Sequence, residues 1–259
     1  MEPKRFDELV ALMTKLRAPG GCPWDREQTL ETLRPFVIEE AYEVVEAIDS
    51  GSRDSLREEL GDLLLQSVFL AEVAREEGTF DIGDVIGSIH DKLVRRHPHV
   101  FADVVAKNAD AVLSNWEKLK SREREAKDQG VLSGVPASLP ALLKAHRLTE
   151  KAARVGFDWE KTSEIFDKIE EEVGELREAV EQGERSRIED ELGDLLFALV
   201  NIARRMGIDS ENALQQTNRK FIRRFEHIES SLRQKGRTVD SASLAEMDEL
   251  WNEAKAKGL

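Results

Sequence analysis

The feature that most limits how this chain can fold is an internal repeat. IEEAYEVVEAI at 38–48 returns as EEEVGELREAV at 170–180, and each leads after the same interval into an acidic, leucine-rich segment, EELGDLLL at 58–65 and DELGDLLF at 190–197. Glu39, Glu40, Glu43, Glu59 and Asp62 map onto Glu171, Glu172, Glu175, Glu191 and Asp194, each by adding 132. Any fold for the chain must therefore be one that about half of it can form and the other half forms again.

Downstream, HDKLVRRHPH at 90–99 matches NRKFIRRFEH at 218–227 at an offset of 128, which pairs Lys92, Arg95 and Arg96 with Lys220, Arg223 and Arg224. A tryptophan follows each block, Trp116 and Trp251, with Lys120 and Lys255 four residues further on, while Trp24 and Trp159 open the two units. Between the copies SREREAKDQGVLSGVPASLP, a charged run ending in Gly and Pro, reads as a linker. The expected organisation is an N-terminal domain over 1–120, a linker over 121–140 and a C-terminal domain over 141–259.

Hydrophobic spacing makes both domains all-α, a tandem pair of helical bundles. Val37, Ala41, Val44, Val45 and Ile48 form an apolar stripe at helical intervals, as do Ile165, Ile169, Val173, Leu176 and Val180, and Gly51 and Gly183 mark the turns that follow. The next helices, about 54–77 and 186–206, are apolar nearly all round, as in a central bundle helix or a dimer interface. No alternating β-branched run is long enough to make a strand.

Glu59 and Asp62 interrupt such a helix, and so do Glu191 and Asp194. On the helix before, Glu39, Glu40 and Glu43 project to one side within about 100° of arc, as do Glu171, Glu172 and Glu175. Antiparallel packing of the two helices would gather all five acids, an arrangement that is unfavourable without a counter-charge. A hard divalent cation resolves it, and magnesium, which takes oxygen ligands and leaves positions for substrate phosphates, fits best. Gly61 and Gly193 sit between the paired acids despite a helix cost of about 1 kcal/mol relative to Ala.

Other chemistries fit less well. A di-iron bundle needs Glu three residues before His, and the residues at that distance from His90, His97, His99, His146 and His227 are Gly, Val, Arg, Leu and Arg. There is no P-loop, and His90-Asp91 reads as a surface pair. Lys220 with Arg224, and Lys92 with Arg96, stand at i, i+4 and supply cations for phosphate contact, while Trp251 and Trp116 are candidates for stacking on a base or for the core. The net charge of −14 excludes general attraction to nucleic acid or anionic membranes. With one cysteine, Cys22, expected to be a packed thiol, no leader-like N-terminus and no 18-residue apolar run, a reducing cytoplasm is the expected compartment.

Together with the paired acidic motifs, the opening LRAPGGCPWDREQTLETLRPFVIEEAYEVVEAID and the mid-chain SLPALLKAHRLTEKAARVGFDW closely resemble the two-domain bacterial MazG nucleoside triphosphate pyrophosphohydrolases. The resemblance covers essentially the whole chain. It implies the all-α NTP pyrophosphohydrolase fold, bundles that dimerise, dependence on magnesium (two ions per active site, with manganese as a substitute), and hydrolysis of NTPs and dNTPs to monophosphate and pyrophosphate. Carried over by motif, Glu172, Glu175, Glu191 and Asp194 would bind metal, with Glu171 alongside. Lys220 and Arg224 would hold phosphates, and Lys168, Arg187 and Trp251 would make further nucleotide contacts. Glu171 or Glu172 would accept the proton of the attacking water.

Two other readings remain at this point. One is a narrower all-α pyrophosphatase, acting on dUTP, dCTP or phosphoribosyl-ATP; the other is a nucleotide-sensing module without turnover. Between the copies, Pro98 should end the first basic helix close to Arg95 and Arg96, whereas the Lys220 helix meets no proline and runs about three turns further. The second copy is therefore expected to be the main catalytic site.

Overall fold

The computed structural model describes residues 4–102, 108, 112 and 130–259. Trp116, Lys120 and the 121–129 part of the expected linker lie outside the described residues. The chain divides into two compact units, 1–120 and 121–259. Among the described residues there are eleven α-helices, one 3-10 turn and no strand, and no helix is long and apolar enough to cross a membrane.

In the first unit α1 (Lys4–Arg17), α2 (Pro23–Glu27), α3 (Leu30–Ser50), α4 (Arg53–Glu76), α5 (Ile82–Arg96) and α6 (Pro98–Phe101) follow one another. Thr29 starts α3 through a reciprocal cap: its Oγ1 accepts from the Thr32 N–H at 3.3 Å, and its own N–H donates to the Thr32 Oγ1 at 2.8 Å. Gly51 ends α3 in the left-handed conformation, φ 72°, and Ser52 caps α4 by accepting from the Ser55 N–H. With so short a turn, α3 and α4 pack side by side as an antiparallel hairpin. Arg17, its side chain almost wholly buried, ties the α2 turn to this frame by donating to the carbonyls of Asp25 and Gln28 and pairing with Glu76 at 2.7 Å. As the sequence suggests, α5 stops at Arg96 and Pro98 begins a separate short helix.

The second unit repeats the pattern with α7 (Ala141–Ala153), α8 (Thr162–Gln182), α9 (Arg185–Arg205), α10 (Ser210–Gln234), a 3-10 turn (Val239–Ser241) and α11 (Leu244–Ala256). Gly183, φ 73°, turns α8 into α9 as Gly51 turns α3 into α4. Buried positions repeat at the 132-residue offset: Leu33 and Ile165 are each 1 % exposed, as are Val68 and Val200, and Ala47 and Ala179 are both buried.

The units differ in what fills them. Met13, Leu33, Val68, Phe69 and Val73 form a packed core between α1, α3 and α4. In the second unit the packed cluster lies between α10 and α11, built on Ile228, Leu232 and Leu250, while a cavity of about 750 Å³ opens between α7, α8 and α9.

The inward face of α3 is not the stripe expected from hydrophobicity, whereas in α8 that stripe holds from Ile165 through Leu176 and fails only at Val180. Ala41, Val45 and Ile48 are exposed, and so is Val180; the buried positions run through Leu33 and Ala47 in α3, and through Ile165, Glu172 and Ala179 in α8. α3 carries an apolar stripe on the outside as well, through Ile38, Tyr42, Val45 and Ile48, so hydrophobicity alone points to the wrong face there.

Leu33→Ala should cost about 3 kcal/mol, because it leaves a hole in a core with no slack. Urea unfolding would show this as a lower midpoint at unchanged slope.

Candidate active site

The α8–α9 hairpin brings Glu172, Glu175 and Glu191 together, with one carboxylate oxygen from each lying within 4.8 Å of the others. Glu172, only 4 % exposed, anchors the cluster. Its Oε1 meets the Lys168 Nζ at 2.8 Å, while its Oε2 is buried without a hydrogen-bond partner. Lys168 also reaches Glu171 at 2.8 Å, and the bonds to Glu171 and Glu172 raise its pKa above the ordinary lysine value. Arg187 approaches Glu191 at 3.4 Å and Glu178 at 3.8 Å. Burial, with the charges of Glu191 and Glu172 beside it, pushes the Glu175 carboxyl up.

Of the five acids expected to converge in this copy, these three do so. Asp194 lines the cavity next to the cluster together with Glu172 and Lys168. Glu171 is exposed and turned to Lys168. Lys220 and Arg224 stand on α10 and Trp251 on α11: Arg224 donates to the Leu259 carbonyl at 2.7 Å and lies 5.5 Å from the Trp251 ring, which packs on Phe221 at 5.2 Å. None of the three lines the cavity. Lys220 is half-buried and makes no ion pair among the described residues.

The first copy builds the same cluster from Glu40, Glu43 and Glu59, also within 4.8 Å. It lacks the local cations, because Phe36 and Ser55 stand where the second copy has Lys168 and Arg187. Glu40 takes instead a 3.4 Å hydrogen bond from the Gln66 amide. Burial and then neighbouring acids, Asp62 among them, push both Glu40 and Glu59 up. Glu39 is exposed, as are Lys92 and Arg95, and Arg96 is half-buried. His90 and Asp91 form an exposed pair at 3.0 Å, and Cys22 is a half-buried free thiol.

The second copy's cavity is mainly apolar, with Trp159, Ile165 and Phe197 among its walls and two sets of polar groups. Lys168 and Glu172 form one polar pair in its lining, near Asp194, and Asn201, Arg204 and Asp158 form a second bonded group. Arg204 pairs with Asp158 at 2.5 Å, Arg205 pairs with it at 3.1 Å and also donates to the Glu160 carbonyl, which ties the turn before α8 to the end of α9. Asn201, Arg204 and Asp158 were not singled out in the sequence. The available signal was spacing, since Asn201 follows Asp194 by seven residues and so continues its helix face.

In chemical terms the site is a set of hard oxygen donors, one of them buried and unpaired, beside an apolar space of the size that ordinarily holds a small organic ligand. Such a donor set fits a divalent cation. An all-α hairpin carrying that site defines a class of helical proteins with an acidic, cation-fitting centre, and comparison with known proteins narrows it. The MazG nucleotide pyrophosphohydrolase domain matches twice, over residues 28–101 and 160–229. The chain is 46 % identical over 255 residues to the nucleoside triphosphate pyrophosphohydrolase of Escherichia coli K12, covering 97 % of each protein. It is 45 % identical over 250 residues to the nucleoside triphosphate pyrophosphohydrolase/pyrophosphatase MazG of Thermotoga maritima, covering 96 % of this chain and 95 % of that one. YabN of Bacillus subtilis is 47 % identical over 251 residues, which is 96 % of this chain and 51 % of YabN. The chain belongs to the MazG family.

Asp158 offers a pH test of the frame behind the cavity. Burial opposes its ionisation, but hydrogen bonds from Arg204 and the Trp159 N–H, with both arginine charges, win and hold its carboxyl below 3.8. A carboxyl lowered in the folded state contributes stability that is present above its unfolded pKa and lost as pH falls through the folded one. Asp158→Asn should therefore lower the melting temperature near pH 7, and by progressively less as the pH falls below 3.8.

Proposed function

We infer that the chain hydrolyses nucleoside triphosphates to monophosphate and pyrophosphate, and that the second copy does most of this work. The observation that carries the reading is the meeting, in one place, of the Glu172, Glu175 and Glu191 cluster with a cavity large enough for a nucleoside. The names of the Escherichia coli and Thermotoga maritima relatives support the reaction.

Glu172, Glu175 and Glu191, with Asp194, would hold magnesium, two ions per site, with manganese able to replace them. When bound, the metal lowers the pKa of the attacking water and neutralises the triphosphate and its leaving group. Lys168 and Arg187 orient the carboxylates of Glu172 and Glu191. We assign the proton acceptor to Glu171, which Lys168 holds beside the cluster without drawing it in. The cavity takes the nucleoside, and its largely apolar walls favour a broad range of NTPs and dNTPs over a single pyrimidine nucleotide. Lys220, Arg224 and Trp251 stay candidates for contacts to the triphosphate or base.

The first copy keeps the acids but sets larger side chains beside them. Phe36, Gln66 and Phe69 occupy the positions of Lys168, Ala198 and Asn201, and Phe69 is part of the packed core. Glu172→Gln or Glu191→Gln should reduce kcat/KM more than about 100-fold across a panel of NTPs and dNTPs with Mg²⁺, whereas Glu40→Gln or Glu59→Gln should change it less than about threefold. The reverse pattern would overturn the assignment between copies. Turnover confined to one pyrimidine nucleotide would favour the narrower enzymes, and binding without monophosphate production would leave a sensor.

We also propose a homodimer. Ile38, Tyr42, Val45 and Ile48 on α3, and Leu192, Leu196 and Leu199 on α9, are each more than 40 % exposed, an apolar surface larger than a small unit usually leaves in water. Light scattering should give twice the chain mass at micromolar concentration, and a monomer there would refute the dimer.

A further inference from the structure

One polar group in the second unit's cavity has its orientation already decided. The Asn201 Oδ1 accepts two hydrogen bonds from Arg204, from Nε at 3.1 Å and from a terminal nitrogen at 2.8 Å. Arg204 is in turn fixed by Asp158. A guanidinium has no acceptor, so turning the amide over would set its NH₂ against the Arg204 donors. The oxygen is therefore committed to Arg204, and the Asn201 Nδ2 is left as a donor without a hydrogen-bond partner among the described residues. Asn201 lines the cavity on the same α9 face as Asp194, which lines it too.

The first copy serves as an internal comparison. Phe69 stands at the position of Asn201 and is 4 % exposed in the core, and Glu72 stands at the position of Arg204 and pairs with Arg75. The oriented amide accompanies the cavity and is missing where the cavity is filled.

We propose that Asn201 binds the nucleobase, its Nδ2 donating to a ring-nitrogen or carbonyl acceptor on the edge of a base lodged between the aromatic walls of the cavity. Arg204 is the positioning residue that aims the amide. This rests on the pyrophosphohydrolase reading and adds to it the basis of substrate choice. Every common base carries such an acceptor, N3 or N7 in purines and O2 in pyrimidines. The acceptor in the same bonded group, the Asp158 carboxylate, is engaged by Arg204 and Arg205, so a donor acting without an acceptor recognises that a base is present while accepting several kinds.

The test uses the full chain with Mg²⁺, steady-state turnover of ATP, GTP, CTP and UTP, and inorganic tripolyphosphate as a base-free competitor. Asn201→Leu removes the donor, and Asn201→Asp replaces it with a second acceptor while keeping a partner for Arg204. Both should raise KM for all four nucleotides by roughly tenfold or more, Asn201→Asp by the larger factor, with kcat within about threefold. The inhibition constant of tripolyphosphate and the melting temperature of Asn201→Asp should stay as in the parent protein. Unchanged KM values in both variants would overturn the proposal, as would tripolyphosphate weakening in parallel with the nucleotides, which would mean that Asn201 only supports the acidic cluster. A parent protein that releases no pyrophosphate would instead overturn the reaction on which the proposal stands.

Discussion

Mutual repulsion among carboxylates held within 4.8 Å of one another is the interaction around which each unit is arranged. Like charges so close destabilise a fold, the more so when one, Glu172, is nearly out of water. They can be brought together only by something stiffer than their repulsion. That is the helix hairpin: 21-residue partners α8 and α9, a one-glycine reversal at Gly183, and buried contacts at Ile165, Ala179 and Val200 that fix rotation and register. Lys168 and Arg187 offset part of the charge from the flank, one helical turn before Glu172 and Glu191. They leave one Glu172 oxygen unpaired, so the compensation is incomplete in the direction of a cation.

Duplication lets the same scaffold be filled in two ways. A core packed to ordinary density has no room for a ligand, and a ligand cavity forgoes contacts that would stabilise the empty protein. The first unit takes the stable solution: Phe36 and Phe69 add volume where the second has Lys168 and Asn201, and Gln66 replaces Ala198 and answers Glu40 directly. The second unit leaves that space open and places its packed cluster elsewhere, between α10 and α11. The three acids survive in both because their position depends on the hairpin, which the two units share, and not on what fills the space beside it.

That division also decides what could be read from the sequence. The repeat, the helical class and the helix limits were accessible because they rest on local signals: α4 and α9 run over 53–76 and 185–205 against an expected 54–77 and 186–206, and Pro98 breaks the first basic helix where it should. The choice of inward face in α3 was not, because Val45 and Ile48 are as apolar as the residues that are buried, and in α8 Glu172 occupies a core position that no hydrophobic pattern would assign to an acid. The acids themselves were visible as a motif, yet the one that is most buried could not be told from its neighbours. A cavity is harder still, since it is made by small residues such as Ala198 and no motif records missing volume. Lys220 and Arg224 stand at the right helical interval, but spacing within one helix does not say which neighbouring helix it faces; Arg224 lies beside Trp251 and donates its Nε to the Leu259 carbonyl.

Gly61 and Gly193 carry the argument one step further. A glycine inside a helix costs about 1 kcal/mol relative to alanine, and one reason to accept that cost is close packing. Within the units that reason fails: a Cβ added at either position would meet nothing within 4 Å. Both glycines lie on exposed stretches of helix, Gly61 beside the exposed Leu60 and Leu64, Gly193 beside Leu192 and Leu196. If the missing side chain makes room for a packing partner, that partner lies outside the unit. On the dimer reading it is a second hairpin closing over the outward apolar stripes. The same closure would exclude water from one side of Glu191 and Asp194, where a lower local dielectric strengthens every charge–charge term. The outward apolar stripe and the acidic cluster would then serve a single purpose, with the surface that drives association also supplying the dry surroundings in which a buried carboxylate binds a cation most strongly.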